Sequence, residues 1–185
     1  FVRKALDVEG GKLFKKSEHL IHPIGPWLME TVIAEKIAVR LRRRSHDLDS
    51  IDHLDAAIDA YENESLIDLT IEQRDAIVLS AKEPFSLILG GAGCGKTTVL
   101  RGVYKALESD SVGVRIHQIA LSGRAAQRMQ ESTGLPAKTI AAFLQDHIEK
   151  LGSGDVVVID ETSMVDVISA YYLMRRIPDG VQIIL

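Results

Sequence analysis

The residues Gly90-Gly91-Ala92-Gly93-Cys94-Gly95-Lys96-Thr97 satisfy the pattern G-x-x-x-x-G-K-[ST]. That spacing suits one chemistry, the cradling of a nucleotide's phosphates. Phosphate oxygens need several backbone N–H groups converging from a concave loop, and glycine lets the backbone come that close in unusual dihedrals. A helix beginning at Lys96 adds partial positive charge and free donors. Lys96 is then the partner of the β- and γ-phosphates, and the Thr97 hydroxyl a ligand of Mg²⁺. Gly91, Ala92, Gly93, Cys94, Gly95 and Thr98 complete the expected nucleotide-binding stretch. A chance glycine-rich turn matches this pattern on the order of once per hundred chains of this length. The strand-then-helix setting argues against chance here. Cys94 reads in two ways, as a small filler of the loop or as a thiol whose ionised form is favoured by the helix start and Lys96.

A second constellation lies downstream. In VVVIDE the pair Asp160 and Glu161 ends an apolar strand, where ligands of open parallel sheets bind. Asp160 would hold Mg²⁺, mostly through water, and Glu161 would orient and deprotonate an attacking water. The plainer alternative is a turn using Asp as a helix cap. Upstream, Thr70 and Gln73 have capping-box spacing, which by itself accounts for both. Gln73 could equally bond an adenine edge, because a side-chain amide both donates and accepts. The two roles do not exclude each other.

These groups must be carried by an alternating scaffold. FSLIL (85–89) reads as a strand and the segment after Lys96 as a helix. VRIHQIAL (114–121) reads as a second strand, followed by helical GRAAQRM and KTIAAFLQDHIEK. VVVID (156–160) is a third strand, a helix follows Met164, and VQIIL begins a fourth. Continuous β-branched runs separated by helices imply an α/β fold with a parallel sheet covered on both faces.

Before Leu69 the pattern differs. The first stretch reads as the end of a helix and a short hairpin, with Gly10-Gly11 and His22-Pro23 as breakers. Residues 28–43 form an amphipathic helix through Val32, Ile33, Ile37 and Leu41, ending in Arg40, Arg42, Arg43 and Arg44. Those cations suit a helix C-terminus, or else a phosphate-binding patch. Residues 46–68 hold eight acidic side chains and no Lys or Arg, with Ile51, Leu54, Ile58 and Tyr61 in a helical stripe. This reads as a solvated linker helix, with a domain boundary near 61–65. A metal site is the alternative, although the carboxylates scatter round the helix.

The 185 residues are 46% apolar, enough to bury a core and to exclude a disordered chain. Lys and Arg total 22 against 26 Asp and Glu, a net charge of −4, so a generic basic nucleic-acid coat is excluded while a local basic groove is not. A single cysteine excludes an internal disulfide framework and points to a reducing compartment. No transmembrane-length apolar run and no signal peptide are visible, so the expectation is a cytoplasmic protein without membrane contact.

With these residues in place the chain resembles superfamily 1 helicases of the RecD-like branch, which includes the exodeoxyribonuclease V alpha subunit. The segments LTIEQRDAI, GGAGCGKTTVL, ALSGRAAQRMQESTG with AKTIAAFL, and VVVIDETSMVD carry the resemblance, in that family's order, over about residues 69–185. GPWLMETVIAEKIAVRL is a weaker match to the segment joining the family's N-terminal DNA-binding domain to its motor. The resemblance implies a RecA-like P-loop domain at 65–185, preceded at 1–64 by a small, mainly helical DNA-binding or linker region. It implies ATP and Mg²⁺ as cofactors and Gln73 as the adenine-contacting glutamine. It also implies single-stranded DNA along Ser122, Gly123, Arg124 and Thr139, and possible partners in a helicase–nuclease complex. The chain departs from the family at Ala92 and Cys94, where Pro and a hydroxyl residue are usual, at Leu121-Ser122, where Pro-Thr is common, and at Ala141, where His is frequent.

Two features read as those of a fragment: the start at Phe1 and the stop within the strand VQIIL. The family's next motif, a Gly-Asp-x-x-Gln switch, is expected after Leu185, with a second motor domain and its arginine finger beyond. The leading expectation is an ATP-driven translocase moving 5′ to 3′ on single-stranded DNA, of which this piece alone binds nucleotide weakly, hydrolyses little and unwinds nothing. A regulatory nucleotide-binding module and the helicase part of a conjugative relaxase are the alternatives.

Overall fold

The computed structural model describes residues 14–16, 21–43, 51–91, 93–110, 113–146 and 151–185. The expectations for Gly10-Gly11, for Arg44, for Ala92 and for the end of the segment KTIAAFLQDHIEK fall outside these residues. The elements in chain order are β1 (Phe14–Lys16), β2 (Ile21–Pro23), α1 (Ile24–Arg42), α2 (Ile51–Ser65), α3 (Ile71–Lys82), β3 (Phe85–Ser86) and α4 (Lys96–Asp110). They continue with β4 (Arg115–Ala120), α5 (Gly123–Thr133), β5 (Ala137–Thr139), α6 (Ile140–Gln145), β6 (Asp155–Asp160), a 3₁₀ turn (Thr162–Met164), α7 (Val167–Arg176) and β7 (Gln182–Ile184).

Strands β1 and β2 form the antiparallel hairpin, in which His22 and Pro23 are part of the second strand. The remaining strands make one sheet in the order β3-β7-β6-β4-β5, parallel throughout. This is the parallel α/β architecture that the strand–helix alternation implies. One strand was not legible: β5, expected as the start of a helix, pairs Ala137, Lys138 and Thr139 with Gln118, Ile119 and Ala120. It is three residues long, and its last residue caps the next helix, with the Ala142 N–H donating to Thr139 Oγ1 at 3.1 Å. FSLIL is a strand only at Phe85–Ser86, because Leu87 and Leu89 beyond it face solvent.

The central strand shows why both faces must be covered. Along β6, Val156 and Val158 point into one apolar cluster while Val157 and Ile159 point into another. The first cluster takes Leu54 and Ile58 of α2, Ile77 of α3 and Val103 of α4. The second takes Phe143 of α6 and Leu173 of α7, with Ile33 and Ile37 of α1 packed against it. Each such buried aliphatic side chain contributes roughly 1.5–3 kcal/mol. Helices therefore lie on both sides of the sheet.

Two expectations need correction. Helix α2 is not a solvated linker: Leu54, Ile58 and Tyr61 are buried in the same core as the sheet, and Tyr61 donates to the Thr98 carbonyl at 3.0 Å. Its acids meet bases from later elements, Asp59 and Glu62 pairing with Arg74, and Glu64 with Lys105. Hydrogen bonding to Arg74, first of all, holds the Glu62 carboxyl below its ordinary range. Among the described residues no group of three His, Cys, Asp or Glu is placed to hold a metal ion. Nor is Arg40 part of a surface cation patch. It is fully buried and donates to the carbonyls of Ile177 at 3.0 Å, Pro178 at 2.7 Å and Val181 at 3.3 Å. It thereby fastens α1 to the turn that enters β7.

At the opposite end of the sheet from the strand C-termini, Asp155 is buried and accepts from Arg115 Nη2 at 2.8 Å, His117 Nε2 at 2.7 Å and the Gly152 N–H at 2.6 Å. Burial alone would raise its pKa, but the hydrogen bonds from Gly152, His117 and Arg115 outweigh it and leave the carboxyl below its usual value. A carboxylate depressed on folding stabilises fully above its unfolded pKa, near 3.9, and loses that contribution as the pH falls through that value towards its lower folded one. Asp155→Asn should cost about 2 kcal/mol at pH 7, the scale of a charge-assisted hydrogen bond. Denaturant melts across pH 7 to 3 should show the gap between variant and parent closing below about pH 4. A constant gap over that range would mean that the ionised carboxylate is not what holds this corner.

Candidate nucleotide-binding site

The register of the sheet decides what can meet at its upper edge. Ala120 at the end of β4 lies opposite Asp160 on one side and opposite Thr139 on the other. The acidic pair, the start of α5 and the start of α6 therefore share one rim. Beyond β7 on that rim, β3 runs out into the loop 87–95, which feeds α4 at Lys96.

Between these parts lies a cavity of about 590 Å³, lined among others by Gly90, Lys96, Thr97, Arg128, Asp160 and Glu161. The structure thus brings together the four residues from which phosphate and metal chemistry was expected: Lys96, Thr97, Asp160 and Glu161. The Lys96 ammonium donates to the carbonyls of Gly90 at 2.6 Å and Gly91 at 3.0 Å, so the loop curls round its own lysine. Gly93 and Gly95 take the left-handed backbone at φ +77° and +85°. The positive φ favours glycine at 95, and a Cβ there would also displace the Gln73 amide nitrogen, 2.6 Å away. Thr98 starts the helix behind them, its carbonyl held by Tyr61. Cys94 is exposed, with its thiol lying over Gly90.

Gln73 makes the capping box: its Oε1 accepts from the Thr70 N–H at 3.0 Å, and Thr70 Oγ1 accepts from the Gln73 N–H at 3.3 Å. Its amide nitrogen reaches further and donates to the Cys94 carbonyl at 3.1 Å. The cap and the phosphate loop are thereby joined, a link that sequence spacing did not suggest.

The acidic pair does not cap the helix that follows it. Asp166, not Asp160, caps the following helix, accepting from the Ile168 and Ser169 N–H groups at 2.9 Å each. Asp160 accepts from the Glu161 N–H at 2.8 Å and is half-buried at the strand end. Glu161 is left-handed, with φ 55° and ψ 39°, a conformation costing on the order of 1 kcal/mol for a residue with a side chain. Strain of that kind gathers at functional positions. Its carboxylate meets Arg128 Nη2 at 3.3 Å, an approach that no motif foretold. Thr97, Asp160 and Glu161 line the same cavity, and their hydroxyl and carboxylate oxygens are hard donors of the kind Mg²⁺ takes.

Below the cavity runs a buried polar chain that the motifs also left out. Tyr104 donates to Gln118 Oε1 at 2.9 Å, Thr133 donates to the same oxygen at 2.9 Å, and Gln118 donates to the Leu135 carbonyl at 2.8 Å. Burial, and then the charge of Asp160, pushes the Tyr104 phenol well above its ordinary value, so it stays a neutral donor. Gln118 in the strand RIHQIA is the only signal of this chain in the sequence.

Along the rim, Ser122 caps α5 by accepting from the Ala125 N–H at 3.1 Å, and Gly123 and Arg124 are exposed at its start. Gly123 and Thr139 line a shared groove of about 510 Å³ with Lys138. The four residues expected along a nucleic-acid strand are thus adjacent, two of them serving as helix caps.

The chain matches the AAA domain family over residues 73–185, more than half its length. It is 29% identical over 125 residues to the ATP-dependent RecD2 DNA helicase of Deinococcus radiodurans, covering 63% of this chain and 17% of that protein. It is 28% identical over 148 residues to the RecBCD enzyme subunit RecD of Haemophilus influenzae, covering 61% of this chain and 22% of that subunit. It is also 34% identical over 120 residues to the multifunctional conjugation protein TraI of Escherichia coli K12, covering 57% and 7%. The chain therefore spans less than a quarter of the length of these relatives. With the parallel sheet, the phosphate loop and the acidic pair on one rim, the chain belongs to the AAA domain family, and over this stretch it is similar to the RecD-type helicases.

Proposed function

We propose that this chain is the nucleotide-binding part of a motor that couples ATP hydrolysis to 5′-to-3′ movement on single-stranded DNA. The observation that carries the reading is the rim: Ala120 stands in register with both Asp160 and Thr139, so nucleotide and nucleic-acid groups border one strand end. In this reading Lys96 leaves the Gly90 and Gly91 carbonyls for the β- and γ-phosphates, while the amides of 91–98 cradle them. Gln73 steadies the loop from below and offers its amide to the adenine edge. Thr97 and Asp160 hold Mg²⁺, and Glu161 accepts the proton of the attacking water. Bound magnesium supplies charge neutralisation on the phosphate oxygens. No described helix is long and apolar enough to cross a membrane, and a cytoplasmic site of action is part of the proposal. The similarity to a conjugation protein favours one second reading, the helicase part of a conjugative relaxase.

The DNA side is tested through Arg124. It is exposed at the start of α5, where a cation beside the helix's free N–H groups favours a phosphate. Arg124→Ala should weaken binding of an oligo-dT several-fold, equally for other sequences, and should lower the slope of log K against log salt by roughly 0.7. Fluorescence anisotropy at several salt concentrations reads both. An unchanged slope would remove Arg124 from the strand path.

A further inference from the structure

Arg128 lines the nucleotide cavity and is a charged residue to which the sequence motifs assign no role. It projects from α5, the helix that starts at the proposed DNA rim, and its Nη2 donates to Glu161 Oε1 at 3.3 Å. Among the described residues lining the cavity, the cations are Lys96 and Arg128. They stand at different ends. Lys96 lies against the phosphate loop, and Arg128 lies against the acidic pair, where the bond to be broken must be placed for Glu161 to serve the attacking water.

The pairing is also of a replaceable kind. The side chains are 63% and 43% exposed, and an ion pair so open to water is weak and screened by salt. A terminal phosphate carries more charge than a carboxylate, offers three oxygens, and matches the planar fork of a guanidinium in bidentate fashion.

We propose that Arg128 is a specificity residue for the terminal phosphate of a nucleoside triphosphate, exchanging Glu161 for that phosphate on binding. One exchange then does two things. It reads the third phosphate, and it frees the Glu161 carboxylate to accept a proton from water. A diphosphate, anchored at the loop by Lys96, leaves the Arg128–Glu161 pair closed. The inference rests on the nucleotide reading above and adds the discrimination between tri- and diphosphate.

The test is a calorimetric titration of the chain with Mg²⁺ and either ADP or a non-hydrolysable ATP analogue. Arg128→Ala should weaken the triphosphate analogue about tenfold, the scale of one charge-assisted contact, and ADP less than about twofold. Arg128→Lys should fall between, keeping the charge without the fork. Glu161→Gln should tighten the analogue with Arg128 present and have no effect in the Arg128→Ala background. Gln127→Ala, the exposed neighbour on α5 that bonds Glu131 and lines the groove beside Thr139, serves as the control and should leave both affinities unchanged. Equal loss for both nucleotides, or no loss for either, would overturn the role of Arg128. If the unaltered chain binds neither nucleotide, the nucleotide reading itself fails and this inference with it.

Discussion

In the complete motor proposed above, Lys96→Ala should abolish nucleotide hydrolysis in the presence of single-stranded DNA and leave the fold as it was. The expectation follows from where the ammonium stands. It is exposed at the head of α4 and donates to the carbonyls of Gly90 and Gly91. Those carbonyls face water once the side chain is shortened, so the cost in stability should stay within about 0.5 kcal/mol. A triphosphate in the same cavity loses its main charge partner at the β- and γ-oxygens. An electrostatic donor aimed at developing charge is worth about 10²–10³-fold in rate, and this one also contributes to ground-state binding. Phosphate release beside a thermal melt separates the two effects. Near-parental turnover in a folded variant would sink the phosphate-loop assignment.

Glu161→Gln should divide binding from chemistry. The amide keeps the shape of the carboxyl and the left-handed backbone at 161, but it cannot accept the proton of the attacking water. Turnover should fall by about 10²–10⁴-fold, the range for a lost general base, while nucleotide binding persists. Because the amide also loosens Arg128, affinity for triphosphate should rise and not fall. If binding and turnover decline by equal factors, Glu161 is a structural or metal-holding group and the water must be activated elsewhere.

The parts of this site that could be read from the sequence are local ones. The phosphate loop is a run of contiguous residues, the acidic pair ends a run of valines, and the Thr70–Gln73 box needs only a spacing of three. The parallel sheet was legible for the same reason, because β6 carries a continuous run of β-branched residues suited to burial on both faces and helices separate it from its neighbours in the chain. What failed depends on partners far along the chain. The acids of α2 look solvated until Arg74 and Lys105 arrive from other helices. Arg40 looks like an ordinary cation at a helix end, and its burial is set by carbonyls near residue 180. Strand β5 is too short to show a period, and its pairing with β4 spans a whole helix.

The same distinction runs through the site. Arg128 and Glu161 are 33 residues apart and meet only because β4 and β6 are neighbours, with α5 leading off the end of β4. Gln73 and the Cys94 carbonyl are 21 residues apart, joined because α3 packs on α4. Gly102 shows how close that packing is. A Cβ there would stand 2.4 Å from Ile77 Cδ1, so the glycine is a spacer that sets the distance between capping box and phosphate loop.

The central claim is that residues 90–98 cradle a nucleotide's phosphates with their backbone amides. Hydrogen–deuterium exchange of the chain with and without a saturating Mg²⁺–ATP analogue tests it most directly. The account predicts slowed exchange concentrated in 90–98 and around Asp160–Glu161, with no such change in Lys96→Ala at the same nucleotide concentration. Protection elsewhere that leaves 90–98 unchanged, or protection of the loop that survives Lys96→Ala undiminished, would contradict it.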